Sequence, residues 1–161
     1  MERKLDENDF IVSKTDLKGN ITYCNRIFME MAEYKEEELL GAPHNIIRHP
    51  DMPKAVFKYL WDEIQQKREV FAFVVNKTKN DNEYWVFTNV TASLDSRGNI
   101  IGYYSVRRKP NPKAVEIIKP LYVQMVQAEN TGGVEASMKI LVDLLQEKGM
   151  SYDELIIAIQ E

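Results

Sequence analysis

The side chains best suited to chemistry lie close together between residues 43 and 53, in the segment PHNIIRHPDMP. This segment holds both histidines of the chain, one arginine, one aspartate and three prolines. Prolines stiffen a chain and bias each preceding residue toward extended geometry. A rigid segment with Arg, His and Asp before a helix suits recognition of an anion or another ligand, because helix N-termini favour negative charge. The pattern fits a proline-rich helix entrance with solvated charges equally well.

Covalent catalysis has little support in this segment. His49 and Asp51 could orient each other, but no serine or cysteine nearby offers a convincing nucleophile. The chain contains neither a Gly-rich phosphate loop nor a paired-histidine metal motif. Cys24 is the only cysteine, so an intramolecular disulfide and a Cys-rich metal site are excluded. We therefore predict that the protein is not an enzyme, and that it works in the reducing environment of the cytoplasm.

The composition is that of a folded globular protein, with 44% hydrophobic residues, 29% charged residues and a net charge of -4. The strongest basic run is Arg107, Arg108 and Lys109, which we expect to form a solvated tip at the end of a strand. Such a short run does not predict nucleic-acid binding. No stretch approaches the ~20 apolar residues of a membrane span, so direct membrane insertion is not expected.

Two segments share the pattern D-x-[K/R]-G-N-I, at residues 16–21 and 95–100. Gly and Asn tolerate the positive φ of tight hairpin turns, so each segment is predicted to join two antiparallel strands. β-Branched and aromatic residues are dense on both sides of each turn and in one further run. The predicted strands are 10–15, 21–24, 70–75, 84–94 and 100–106.

Between the second and third predicted strands the pattern changes to a helical period. Residues 26–32 and 36–40 are predicted to form short helices. Apolar residues from Met52 to Ile64 then recur every three or four positions, which predicts a longer helix with Asp51 as its N-terminal cap. We expect an α+β fold in which these helices cover one face of a five-stranded antiparallel sheet.

The segment that follows Pro110 has a different character. Two amphipathic helical patterns are separated by Gly132 and Gly133, and a third short helix starts at Ser151 with a capping box. We predict a sensor domain at 1–110 and a helical tail at 111–161. The tail either docks on a partner or a second copy of the chain, or packs on the sheet of its own domain.

The string PHNIIRHPDMPKAVF, at residues 43–57, resembles the signature of the PAS domains of aerotaxis receptors. The strings DLKGNITYCN, NEYWVFTNV and GYYSVRR follow that family in the same order and spacing. The resemblance implies a PAS fold, with a five-stranded antiparallel sheet, helices on one face and a ligand between them. It also implies non-covalent FAD and a role in energy taxis, in which the flavin's redox state passes to the HAMP region of a membrane-bound methyl-accepting chemotaxis transducer.

The same resemblance places three residues of the first segment, Arg48, His49 and Asp51, at the cofactor. Arg48 would suit the FAD pyrophosphate, because a guanidinium pairs bidentately with phosphate oxygens. Asn25 and Asn76 are implied as polar contacts, since an amide offers the donors and acceptors that a flavin ring edge requires. For each asparagine alone, a role in a turn or a helix cap is the alternative.

Two further positions concern the apolar side of the implied pocket. Trp85, on the fourth predicted strand, is a candidate contact with the cofactor, although an aromatic residue there more often packs in the core. Val70 stands where flavin-binding members usually carry a tryptophan, so the pocket loses aromatic surface and we expect weaker flavin binding. Phe71 cannot replace that tryptophan, because neighbouring strand residues point to opposite faces.

Two alternatives to FAD stay open at this point. Haem b could bind with His44 or His49 as its axial ligand. The chain could also be an interaction module that keeps the fold and binds no cofactor. The absorption spectrum of the purified protein would separate the three hypotheses.

Overall fold

A computed structural model describes the whole chain, residues 1–161. The strands are β1 Glu2–Arg3, β2 Phe10–Thr15, β3 Ile21–Cys24, β4 Val70–Lys77, β5 Glu83–Leu94 and β6 Ile100–Arg108. The helices are α1 Arg26–Ala32, α2 Glu36–Leu39, α3 Lys54–Gln65, α4 Pro112–Lys148 and α5 Tyr152–Gln160, with a 3-10 turn at His44–Ile47.

The two repeated turn motifs form hairpins of the same construction, as predicted. In the first, the Asp16 carboxylate accepts hydrogen bonds from the backbone N–H groups of Lys18 and Asn20, at 2.9 and 3.0 Å. The Asp95 carboxylate makes the equivalent pair in the second turn. The glycine of each motif has a φ near +80°, a conformation that side chains with a Cβ rarely adopt. These turns join β2 to β3 and β5 to β6.

The five longer strands form one antiparallel sheet in the order β4-β5-β6-β2-β3. The two residues of β1, which were not predicted as a strand, add a short parallel pair beside the start of β5. Because strand side chains alternate between faces, the register collects one set of polar residues on one side, which we call the inner face. Its members are Ser13, Asn76, Thr88, Ser105 and Arg107.

The helices between β3 and β4 cover the inner face, as the sequence predicted. The α3 helix begins at Lys54, after Pro53, and Asp51 does not cap it. Instead, the Glu129 carboxylate of α4 accepts hydrogen bonds from the backbone N–H groups of Lys54 and Ala55, at 2.9 and 3.1 Å. The prediction of Asp51 as the cap was therefore wrong, because the cap comes from a distant part of the chain.

The C-terminal helices α4 and α5 pack on the opposite, outer face of β4 and β5. The Tyr122 hydroxyl donates a hydrogen bond to the carbonyl oxygen of Phe73, at 2.6 Å, and the Tyr122 ring stacks on Trp85. Gly133, with a φ of 73°, interrupts α4 at the predicted break. Most of the buried residues of both helices, with the exception of Ser137 and Leu155, belong to the same core as the sheet. The segment 111–161 thus packs on its own domain, and docking or dimerisation through its exposed side stays a prediction.

No helix of the protein has both the length and the apolar character that crossing a membrane would need.

Candidate ligand-binding site

A cavity of about 210 Å³ lies between the inner face of the sheet, the 3-10 turn and α3. Its polar wall comes from alternate residues of the strands, because the register aligns Ser13 with Ser105 and Thr88 with Arg107. The hydroxyl groups of Thr88 and Ser105 lie 3.2 Å apart and bond to each other. Asn76 is buried and also lines this wall.

The opposite wall is apolar and comes from one face of α3. Phe57, Leu60, Trp61 and Ile64 line the cavity, at the three- and four-residue spacing that places side chains on one side of a helix. The Trp61 ring is half exposed and lies 5.1 Å from the ring of Tyr103 on β6. The cavity therefore has an aromatic wall that faces a wall of hydroxyl and amide groups.

Arg107 lies buried in the polar wall. Its Nη2 donates a hydrogen bond to Ser13 Oγ at 2.7 Å, and its guanidinium lies 4.6 Å from the centre of the Phe28 ring. The sequence-based expectation of an exposed basic tip was wrong for this residue, which is only 3% exposed. The alternation of β6 explains the difference: Arg107 points to the covered inner face, whereas Arg108 points outward, over the ring of Phe87.

His44, from the 3-10 turn, completes this group. Its Nε2 lies 3.2 Å from Arg107 Nη1 and 3.1 Å from Ser13 Oγ. An arginine only donates, so Nε2 must accept, and the neutral ring carries its proton on Nδ1. Burial, followed by the nearby guanidinium, lowers the pKa of His44 to about 3. Burial also lowers the pKa of Arg107 to about 10, so Arg107 is still a cation at neutral pH while His44 is uncharged.

Arg48 lines the same cavity but is exposed to solvent. Its guanidinium lies 4.3 Å from the centre of the Phe57 ring, and its backbone pairs with that of Asn76 on β4. This pairing fixes the turn against the sheet, so Arg48 stands at the opening of the cavity with free hydrogen-bonding groups. Arg48 and Asn76, both implied by the resemblance, are thus brought together at one site.

The structure places His49 and Asp51 outside this cavity, although they follow Arg48 closely in the chain. His49 Nδ1 accepts a hydrogen bond from the Asp51 backbone at 3.0 Å, and its Nε2 lies 3.4 Å from a Glu83 carboxylate oxygen. The Asp51 side chain is exposed and borders a separate groove of about 310 Å³ between the outer face and α4. Arg48 itself has an extended backbone, and residues 50–52 form a turn and a bend after it.

A sequence model described as the PAS fold matches residues 1–109 of the chain. The chain belongs to the PAS family. The aerotaxis receptor of Escherichia coli (strain K12) is 35% identical over 145 residues, which are 90% of this chain and 27% of the receptor. Phototropin-1A of Oryza sativa subsp. japonica is 24% identical over 102 residues, 63% of this chain and 11% of the phototropin. The expected resemblance to aerotaxis-receptor PAS domains is therefore confirmed, and the chain spans about a quarter of that receptor's length.

Solved structures agree with the PAS fold. A light-oxygen-voltage domain studied with a flavin analogue superimposes with a TM-score of 0.62 at 17% identity, over 67% of this chain and 82% of the other. At this level of identity, the likeness shows the fold alone.

Two of the implied cofactor contacts lie elsewhere in this PAS domain. Asn25 caps α1: its Oδ1 accepts from the backbone N–H groups of Val12 and Phe28, and its Nδ2 donates to the Phe10 carbonyl oxygen. These bonds occupy both ends of the amide, so the alternative of a helix cap is the one that the structure bears out. Trp85 points to the outer face, where it packs on α4, and it does not line the cavity.

Val70 is buried at the start of β4 and does not line the cavity. The aromatic surface of the pocket comes from Tyr103 and Tyr104 on β6 and from Phe57 and Trp61 on α3, and the sequence reasoning did not single out the two α3 residues. The three- and four-residue period of α3 was the signal that could have identified them. For Arg107, the signal was its spacing of two from Ser105 and four from Tyr103, which puts all three on one face of β6.

Proposed function

We propose that the protein is a PAS sensor of redox state or oxygen that binds FAD in the inner cavity and reports to a membrane-bound chemotaxis transducer. The role is binding and signalling in the cytoplasm, without catalytic turnover. The relation to an aerotaxis receptor supports the energy-taxis part of this proposal. The fold shared with a domain studied with a flavin analogue supports a flavin as the cofactor.

The observation that carries the cofactor proposal is the contrast between the two walls of the cavity. A flavin ring is flat and apolar on its faces, and its edge offers hydrogen-bond donors and acceptors. The faces suit packing against Phe57 and Trp61, because aromatic rings gain from stacked or tilted contact. The edge suits Asn76, whose amide both donates and accepts, together with the hydroxyls of Thr88 and Ser105.

The size of the cavity supports a ligand that is only partly enclosed. Sites for drug-sized molecules measure roughly 300–1,000 Å³, whereas this cavity measures about 210 Å³. A ring system would take the enclosed part, and the phosphates of a dinucleotide would remain near the opening. Arg48 stands there with an exposed guanidinium, so it would hold the phosphates through charge-assisted hydrogen bonds.

The link from α3 to α4 supplies a physical basis for signalling. One side of α3 lines the cavity, and the N-terminus of α3 is held by Glu129 of α4. A change in the ligand that displaces α3 therefore acts directly on α4. We propose that α4 presents this change to the HAMP region of a methyl-accepting chemotaxis transducer through exposed residues such as Ile117 and Val123.

The absorption spectrum of freshly purified protein tests the cofactor. We expect flavin bands, and release of FAD when the protein is denatured. A Soret band that disappears in a His44→Ala or His49→Ala variant would establish haem instead. If the protein takes up neither cofactor on incubation, only the interaction module remains.

The Arg48→Ala variant tests the phosphate contact. Loss of charge-assisted hydrogen bonds worth about 1.5–3 kcal/mol would weaken FAD binding by roughly one to two orders of magnitude. Arg97→Ala, which removes an exposed arginine at the second hairpin turn, is the matched control and should bind FAD normally. Equal affinities for the two variants would show that Arg48 only faces solvent. Fluorescence titration of the apoprotein with FAD measures both constants.

A further inference from the structure

The groove between the outer face of the sheet and α4 has the size and the lining of a small-molecule site. Trp85, which stacks on Tyr122, forms its floor, and Val75, Val123 and Val126 supply apolar walls. Its volume of about 310 Å³ exceeds that of the inner cavity. It falls at the lower end of the range of roughly 300–1,000 Å³ that small-molecule sites occupy. Val123 is 54% exposed, so the groove is open to solvent on the side of α4.

Two carboxylates border the groove without a cationic partner. Asp51 Oδ2 and Glu83 Oε2 lie 3.7 and 3.4 Å from the two ring nitrogens of His49. His49 Nδ1 accepts a hydrogen bond from the Asp51 backbone, so the ring is neutral and its proton lies on Nε2, beside Glu83. No lysine or arginine forms an ion pair with either carboxylate. This part of the groove therefore carries negative charge and lacks a cation.

Two hydrogen-bond donors of the groove also lack a partner. The Lys119 ammonium group lies 5.8 Å from the centre of the Trp85 ring and takes part in no ion pair. Trp85 is only 8% exposed, yet its indole N–H makes no hydrogen bond and is not among the unpartnered atoms that are closed to solvent. Buried indole N–H groups usually have an acceptor. An anionic oxygen in the groove would serve both donors.

We propose that this groove is a second ligand site, and that it takes a free α-amino acid with an aliphatic side chain. The ammonium group of the ligand pairs with Glu83 and Asp51, and its carboxylate pairs with Lys119 and the Trp85 indole N–H. The aliphatic side chain packs against the three valines. A ligand with a single charge leaves either the carboxylates or the lysine unpaired, whereas a zwitterion satisfies both. The inference goes beyond the proposed function, because the groove and the inner cavity lie on opposite faces of the sheet.

Leucine and two of its fragments test the chemistry of the ligand. In calorimetric titrations of the full chain we expect saturable binding of leucine, and a rise in the thermal unfolding temperature. Isopentylamine lacks the carboxylate of leucine and 4-methylpentanoate lacks its ammonium group, so each should bind about tenfold more weakly or worse. Glycine at the same concentration controls for effects of a zwitterion without an aliphatic body. No saturable binding of leucine, or equal affinity for leucine and either fragment, would overturn the proposal.

Charge removal at single residues tests the location. Glu83→Gln keeps an acceptor for His49 but loses the charge, and Lys119→Gln removes the cation. Each should weaken leucine binding by about fivefold, a modest factor because both groups are partly screened by water. Glu116→Gln and Lys113→Gln, at exposed positions of α4 outside the groove, are the matched controls. Leucine affinities that are equal in all four variants would place the ligand elsewhere and overturn the site.

The fragments also separate a contact with the ligand from a general change of the groove. Glu83→Gln should lower the affinity for isopentylamine and leave that for 4-methylpentanoate unchanged. Lys119→Gln should do the opposite, since it removes the partner of the carboxylate. If either variant weakened both fragments equally, the residue would only shape the groove, and the assigned pairing would be wrong. None of these results depends on whether the inner cavity holds FAD.

Discussion

The two faces of strands β4 and β5 differ in chemistry, although their residues alternate along the same stretch of chain. On the inner face, Asn76 and Thr88 border a cavity with hydroxyl, amide and guanidinium groups. On the outer face, Phe73 and Trp85 are packed under α4. Strands that are covered on both sides need apolar residues in successive positions, and the inner face departs from this rule only where the cavity lies.

This difference indicates a division of labour across a single sheet. On the outer face, Phe73, Trp85 and Tyr122 pack together beside the groove of about 310 Å³, and we expect this packing to serve stability and the position of α4. The inner face keeps polar groups that gain nothing from an empty cavity and are suited to a ligand. Changes on the two faces should therefore separate stability from binding.

The largest expected effect comes from the outer side. Met125 of α4 is fully buried, so Met125→Ala should lower the free energy of unfolding by about 2–5 kcal/mol through lost contacts and a new cavity. Val123→Ala, on the exposed side of the same helix, should change it by no more than about 0.5 kcal/mol. Urea denaturation measures both values. FAD affinity of the folded Met125→Ala protein should be unchanged, and a large loss of affinity would contradict the division between the faces.

A matched pair of asparagines gives the next effect. Asn25→Ala removes the cap of α1 and the bonds to β2, so it should cost about 1–2 kcal/mol of stability with little change in FAD affinity. Asn76→Ala should have little effect on stability and should weaken FAD binding by roughly tenfold, because it would remove one hydrogen bond to the proposed cofactor, worth about 1–1.5 kcal/mol. Thermal denaturation and FAD titration of both variants provide the test. If FAD affinity fell in Asn25→Ala instead, Asn25 would contribute to FAD binding and not only to the cap of α1.

The smallest expected effect comes from the contact between α4, on the outer face, and the N-terminus of α3, on the inner face. Glu129→Gln removes the negative charge at the N-terminus of α3 and should lower stability by about 0.3–1 kcal/mol. Glu135→Gln, at an exposed position of α4, is the control and should have no measurable effect. Hydrogen exchange of the Lys54 and Ala55 amides should accelerate in Glu129→Gln only. Unchanged exchange would show that Glu129 does not hold α3.

Local patterns accounted for much of the architecture. The hairpins at Asp16 and Asp95 were predictable because each turn is closed by hydrogen bonds within five consecutive residues. The helical period from Met52 to Ile64 was equally visible, and it marked the element that became the cavity wall. The family signature also led to Arg48 and Asn76, two residues that do meet at the cavity.

The remaining site residues depended on contacts that no local pattern contains. Whether Arg107 ends in solvent or in the interior depends on the face that α1 and the 3-10 turn cover. The same holds for Trp85, which lies on the face that α4 covers. His49 and Asp51 belong to the signature, yet neither lines the cavity, and His49 lies beside Glu83 instead.

The sequence by itself determined the order of strands and helices, the two turns, the alternation of side chains along each strand and the membership of the PAS family. These properties depend on interactions between residues that are neighbours in the chain, or on a signature that is read position by position. Only the tertiary structure decided which side chains share the cavity and what closes the ends of the helices. The Arg107–Ser13 bond joins residues 94 positions apart, and the Glu129 cap of α3 spans 75 positions. Such pairs meet only after the sheet has formed and its two faces have been covered.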